Sequence, residues 1–175
     1  MKRILIISAS LILIFSGCDK VGFSGKASFS SADEMVTKAM KIISTITVQE
    51  LNELMNSEEI YTLLDVRQKS EHYYGYIPGA LVIPRGSIEF LIGNEQYWES
   101  EGLYMPLKDE KIILYCRKGK RAALAALALK QLGYESVMAL EGGWKNWELA
   151  YPDIFEKNLE KLSGNEDEHE DIGGC

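Results

Sequence analysis

Cysteine is scarce in this 175-residue chain. The three residues, at positions 18, 116 and 175, are too few and too scattered for a disulfide framework. Histidine is scarcer still. His72 and His169 lie far apart and no Cys-x-x-Cys pair is present, so no metal site is expected and no cofactor is implied. Basic residues are the minority, 19 Lys and Arg against 26 Asp and Glu, and the net charge of −7 argues against general nucleic-acid binding. Long apolar runs are missing apart from Ile4 to Phe15, which is too short to cross a bilayer comfortably as a permanent helix. What remains is an ordinary globular composition, 46% hydrophobic and 26% charged, sized for one domain plus extensions.

The ends read differently from the middle. Lys2 and Arg3, the apolar run and the small residues up to Cys18 form an export signal over residues 1–18. Phe15-Ser16-Gly17-Cys18 resembles the lipobox of bacterial lipoproteins, although Phe15 stands where Leu is usual. That resemblance implies acylation of Cys18, a membrane anchor through that lipid, and an extracytoplasmic location. Asp19 resembles the enterobacterial signal for retention at the inner membrane. An ordinary secretory signal with an incidental cysteine is the alternative. Residues 19–43 read as a flexible, Gly- and Ser-rich linker with a short helix suggested by Met35, Ala39, Met40 and Ile43. Residues 44–151 form the domain. In 152–175, Ile154, Phe155, Leu159 and Leu162 predict a packed C-terminal helix before an acidic, disordered tail.

Within the domain, strands are predicted at Thr45 to Val48, Tyr61 to Val66, Ala80 to Ile83, Lys111 to Tyr115 and Ser136 to Leu140. Helices alternate with them: one after the cap Thr47, a short one at Ser70 to Tyr74, an insert from Ser87 to Trp98, one from Arg121 to Leu132, and one opening at Gly143-Trp144. The alternation predicts an α/β fold with a central parallel sheet and helices on both faces.

The chemistry concentrates at the end of the fourth strand. Cys116 is followed by Arg117, Lys118, Gly119, Lys120 and Arg121, then by strong helix formers. A cysteine at a strand's carboxyl end lies where open α/β sheets place ligands. Gly119 permits a tight curl, and four cations together with a helix N-terminus favour an anionic sulfur. Taken alone, Cys116 could equally be an inert core thiol.

Four motifs occur in order: Leu64-Asp65-Val66-Arg67 with Glu71, Gly75-Tyr76-Ile77-Pro78-Gly79-Ala80, Cys116 to Arg121, and Glu141-Gly142-Gly143-Trp144. Over residues 44 to 150 they resemble single-domain rhodaneses. The resemblance implies the rhodanese-like fold and a sulfurtransferase that carries sulfane sulfur as a persulfide on Cys116. The implied partners are a small anionic sulfur donor such as thiosulfate and a cyanide or thiol acceptor, which could be a protein thiol. Cysteine phosphatases use a similar strand–loop–helix, but the Cys116–Arg121 loop is one residue shorter than theirs and cups a sulfur better than a phosphoryl group. Ala122 stands where rhodaneses often have Ser. A non-enzymatic binding module, or a persulfide relay for a membrane-bound redox partner, is the alternative function.

The resemblance gives Asp65 and Arg67 a role in bracing the active loop. The plainer possibility is a strand-end acid and a surface arginine that pairs with Glu71. Tyr76 replaces the family's usual His, so any role of that imidazole is lost, and His72, where an aromatic is usual, is expected to pack. Trp144 and Trp147 are expected in the core. Arg85 either lines the pocket mouth or is solvated. Cys175, after two glycines, either reaches Cys116 as a resolving thiol or has no role.

Overall fold

The computed structural model describes residues 28–163. The segment expected to be an export signal, Cys18, most of the Gly/Ser stretch and the acidic tail with Cys175 lie outside them. Five strands form one all-parallel sheet: β1 (Ser44–Ile46), β2 (Tyr61–Asp65), β3 (Leu81–Val82), β4 (Lys111–Tyr115) and β5 (Val137–Leu140), in the order β1-β5-β4-β2-β3. β4 is central. Its Ile112, Leu114 and Cys116 face one core, while Ile113 and Tyr115 face the other, as the two-residue strand period dictates. Both faces are therefore covered, as parallel sheets require.

On the first face lie α6 (Lys120–Gln131), α4 (Ile88–Leu91), α5 (Glu95–Ser100) and α1 (Ala32–Ala39). Four small residues of α6, Ala122, Ala123, Ala125 and Ala126, let it approach the sheet closely. On the second face lie α2 (Val48–Met55) and α7 (Gly143–Ala150), with Trp147 wholly buried. α3 (Lys69–Tyr73) follows β2, and α8 (Leu159–Leu162) packs against α3. Thr47 caps α2 through a full capping box, and Gly133, at φ +88°, follows the end of α6.

Two segments, the insert and the C-terminal arm, differ from the sequence expectation. The insert is two helices: Asn94 accepts from the Tyr97 amide and starts α5 afresh after the turn at Gly93. The helix suggested before the domain is α1, packed on α6 and tied to it by Lys120–Asp33 at 2.6 Å. The C-terminal arm is helical only at Leu159–Leu162. Before that it makes a turn closed by the Ile154 amide on the Tyr151 carbonyl and is then pinned to the domain: Glu156 forms an antiparallel bridge with Tyr76, the Trp147 indole donates to the Ile154 carbonyl, and Phe155 packs edge-on against Trp144.

Candidate active site

Cys116 follows the carboxyl end of β4 directly and is 2% exposed. Two helices begin against its loop. α6 starts after Gly119 (φ +87°), and α7 starts after Gly142 (φ +69°). The second contact is direct: the Trp144 amide donates to the Cys116 carbonyl at 2.8 Å and the Lys145 amide to the Arg117 carbonyl at 3.0 Å. Gly143 is what allows this approach. A Cβ there would lie 2.0 Å from the Cys116 carbonyl oxygen, and its φ of +59° disfavours any side chain. Gly143→Ala is therefore expected to push the loop aside and lower activity about a hundredfold, the penalty of misplacing a reacting group by about 1 Å. Kinetics together with thermal melts check this, and wild-type turnover in the variant contradicts it.

The same two helices share an electrostatic oddity. α1, α2, α3, α4, α5 and α8 each carry an acidic residue in the first turn, as the helix dipole favours. Only α6 and α7 carry none, and neither glycine cap supplies a side-chain acceptor. The start of α6 thus lies beside the thiol with no acid of its own, an arrangement suited to an anion, while the first-turn amides of α7 are taken by the Cys116 and Arg117 carbonyls and hold the loop.

The basic residues of the loop divide. Arg121 stays: its guanidinium bonds both oxygens of Glu71, at 2.6 and 2.8 Å. The Glu71 carboxylate chiefly, and the Cys116 sulfur beside it, raise the Arg121 pKa above its ordinary value. Lys120 turns away to Asp33, so it does not join a cradle around the thiol. Arg117 and Lys118 are exposed.

Asp65 and Arg67 do not brace the loop by direct hydrogen bonds. Both are buried and they bond each other: Arg67 donates through its backbone amide, Nε and Nη2 to the Asp65 carboxylate, and through Nη2 also to the Gly75 carbonyl at 2.7 Å. The guanidinium lies 5.1 Å from the Trp144 ring, so its support reaches the loop through the residue whose amide holds Cys116. Nor does Arg67 pair with Glu71, which Arg121 occupies. His72 does more than pack. Its Nδ1 lies 2.9 Å from Asp65 Oδ2, and its ring stacks on Tyr76 at 3.9 Å. The imidazole and the aromatic have exchanged positions relative to the motif, and the imidazole keeps a partner in the cluster. Arg85 bonds Glu89 at 2.7 Å. Trp144 and Trp147 are buried as expected.

A cleft of about 400 Å3 adjoins the loop, lined in part by Arg117, Glu71, Tyr74, Trp144 and Glu148. The last is a group that no motif indicated. Among the described residues no cluster of His, Cys, Asp or Glu could hold a metal ion, and no helix is long and apolar enough to cross a membrane.

The model of the rhodanese-like domain family matches residues 47–150. The chain is similar to the human thiosulfate:glutathione sulfurtransferase, 33% identical over 107 residues that cover 59% of this chain and 91% of that protein. The solved human single-domain sulfurtransferase TSTD1 superposes with a TM-score of 0.55 at 29% identity, covering 59% of this chain and 93% of its own. A Rhodopseudomonas palustris protein of unknown function, described as a possible tyrosine phosphatase, superposes with a TM-score of 0.58 at 27% identity, covering 72% and 95%. Some matched relatives are longer proteins, of which the chain spans 24% to 29%.

Proposed function

The chain belongs to the rhodanese-like domain family, and from that premise we propose that it is a sulfurtransferase carrying sulfane sulfur on Cys116. The observation that carries the reading is the meeting of the acid-free α6 start and the Arg121 guanidinium at one strand-end cysteine, whose carbonyl is held by the start of α7. Its human relative is named for the transfer of sulfur from thiosulfate to glutathione. In the first step the Cys116 thiolate attacks the outer sulfur of thiosulfate. The S–S bond of the donor breaks, sulfite leaves with the electron pair, and a persulfide remains on Cys116. In the second step a cyanide or thiolate acceptor attacks the outer persulfide sulfur, and the Cys116 thiolate is restored. The positive start of α6 stabilises both the attacking and the leaving anion, and α7 holds the loop in place through the Cys116 and Arg117 carbonyls.

Mass spectrometry of the protein after thiosulfate treatment tests this. One added sulfur atom on Cys116, removed by cyanide, is the expected result. A wild-type protein that stays unlabelled, under conditions that label another rhodanese, turns the reading toward a binding module. Hydrolysis of an aryl phosphate in place of labelling turns it toward a phosphatase, which the four residues between Cys116 and Arg121 disfavour. We also propose that the domain works outside the cytoplasm, tethered to a membrane through acylated Cys18. A mature amino terminus free of lipid overturns this.

A further inference from the structure

The family match ends at residue 150, yet the chain beyond it returns to the site. Residues 151–158 are pinned on both sides of Phe155. Before it, the Ile154 amide donates to the Tyr151 carbonyl at 3.1 Å, and the Trp147 indole donates to the Ile154 carbonyl at 2.7 Å. After it, Glu156 exchanges two backbone hydrogen bonds with Tyr76, at 2.9 and 3.0 Å, and the Asn158 amide donates to the Tyr73 carbonyl at 3.1 Å. These bonds deliver one ring to one place. Phe155 meets Trp144 edge-on with the ring centroids 6.4 Å apart, and a Cβ on Gly75 would touch both rings, 3.1 Å from Trp144 and 3.7 Å from Phe155. Burial alone does not account for the contact, because Phe155 stays 39% exposed.

Trp144 matters because of where its amide points. It donates to the Cys116 carbonyl, and the next amide, that of Lys145, donates to the Arg117 carbonyl. The two residues before Trp144, Gly142 and Gly143, both have positive φ, and glycine is the least restricted of all backbones. The turn into α7 thus has little stiffness of its own. Its direction is set by the buried indole, which is held between the Arg67 guanidinium, Gly75 and Phe155. Arg67 and Gly75 belong to the motifs of the domain. Phe155 does not.

We propose that Phe155 is a positioning residue for sulfur transfer: it fixes the Trp144 ring and, through the Trp144 and Lys145 amides, the backbone of Cys116 and Arg117. The proposal rests on the sulfurtransferase reading of Cys116. Both half-reactions pass through Cys116 Sγ. A loosened loop therefore slows sulfur uptake and sulfur release alike, while the charges that attract the donor stay in place.

The test uses the full chain with thiosulfate as donor and cyanide as acceptor, and rates are taken per Cys116 that accepts sulfur, counted by mass spectrometry. Phe155→Ala is expected to lower kcat about tenfold and to change KM for thiosulfate by less than about twofold, the pattern of a reacting group displaced by a fraction of an ångström. Phe155→Tyr keeps the aromatic edge and is expected to hold kcat within about twofold of wild type. Leu159, 69% exposed on the same arm, is the control, and Leu159→Ala is expected to leave kcat unchanged. Amide hydrogen exchange read by NMR reports on the loop directly. Exchange at Trp144 and Lys145 is expected to quicken about tenfold in Phe155→Ala, while Ile113 and Leu114 of β4 keep the wild-type rate. An unchanged kcat, a loss that Leu159→Ala or Phe155→Tyr shares, or exchange that quickens equally in β4 overturns the assignment. A wild-type protein that takes no sulfur overturns the sulfurtransferase reading instead, and exchange at Trp144 and Lys145 then decides by itself whether Phe155 holds the loop.

Discussion

Cys116→Ser is expected to reduce thiosulfate-dependent sulfur transfer by roughly four orders of magnitude or more. A serine hydroxyl is a far weaker nucleophile than a thiolate at neutral pH, and it cannot store sulfur as a persulfide. The positive start of α6 beside the site does not compensate, because it stabilises charge on the sulfur species and creates no nucleophile. The substitution is nearly isosteric, so the fold should survive. The hydroxyl enters a site 2% exposed, and even without a partner it costs about 1–3 kcal/mol, a fraction of a typical domain's stability. Thermal melts beside steady-state rates separate the two effects. The variant keeps Cys18 and Cys175, which makes it a sharp test. Residual turnover above background, or sulfur found on either of them, places the carrier elsewhere.

The parts of this site that were legible in the sequence are the covalently continuous ones. Ile112 to Leu114 alternate between the two cores, Cys116 ends the strand, and Gly119 adopts the positive φ that a tight curl demands. Thr47 announced a helix start, and it caps one. Asn94 carried a similar signal inside the insert, which was hidden because the helical period continues on both sides of Gly93. What could not be read was the pairing of residues distant in the chain. Glu71 reaches Arg121 across fifty positions, and Lys120 reaches Asp33 across eighty-seven. A run of cations therefore looked like a single cradle when only part of it faces the thiol. Glu148 belongs to no motif and acquires meaning only when α7 is laid against the loop. The exchange of His72 and Tyr76 looked like a loss in one dimension and is a stacked pair in three.

The buried Asp65–Arg67–His72 cluster carries the second large prediction, and the effect is asymmetric. Asp65 is wholly buried and accepts from two basic side chains, whereas Arg67 has one carboxylate and one carbonyl. Asp65→Ala leaves the guanidinium 2% exposed with only the Gly75 carbonyl, and the expected cost is about 3–5 kcal/mol. A typical domain is stable by only about 5–15 kcal/mol, so the variant should be close to unfolding at 37 °C. Arg67→Met should cost less, since His72 remains to pair the carboxylate, and the double variant should recover part of the single loss. Burial pushes the Asp65 carboxyl upward, but the bonds from His72 and Arg67 outweigh it and hold the pKa below its ordinary value. A depressed folded-state pKa means that this contribution is complete above the unfolded value, about 3.9, and drains away as pH falls through the folded one. The stability gap between wild type and Asp65→Ala, measured by urea unfolding, should therefore be constant near neutrality and narrow below about pH 4. A gap that persists unchanged into strong acid, or Asp65→Ala and Arg67→Met of equal cost, means that the cluster is held by packing and that its charges contribute little.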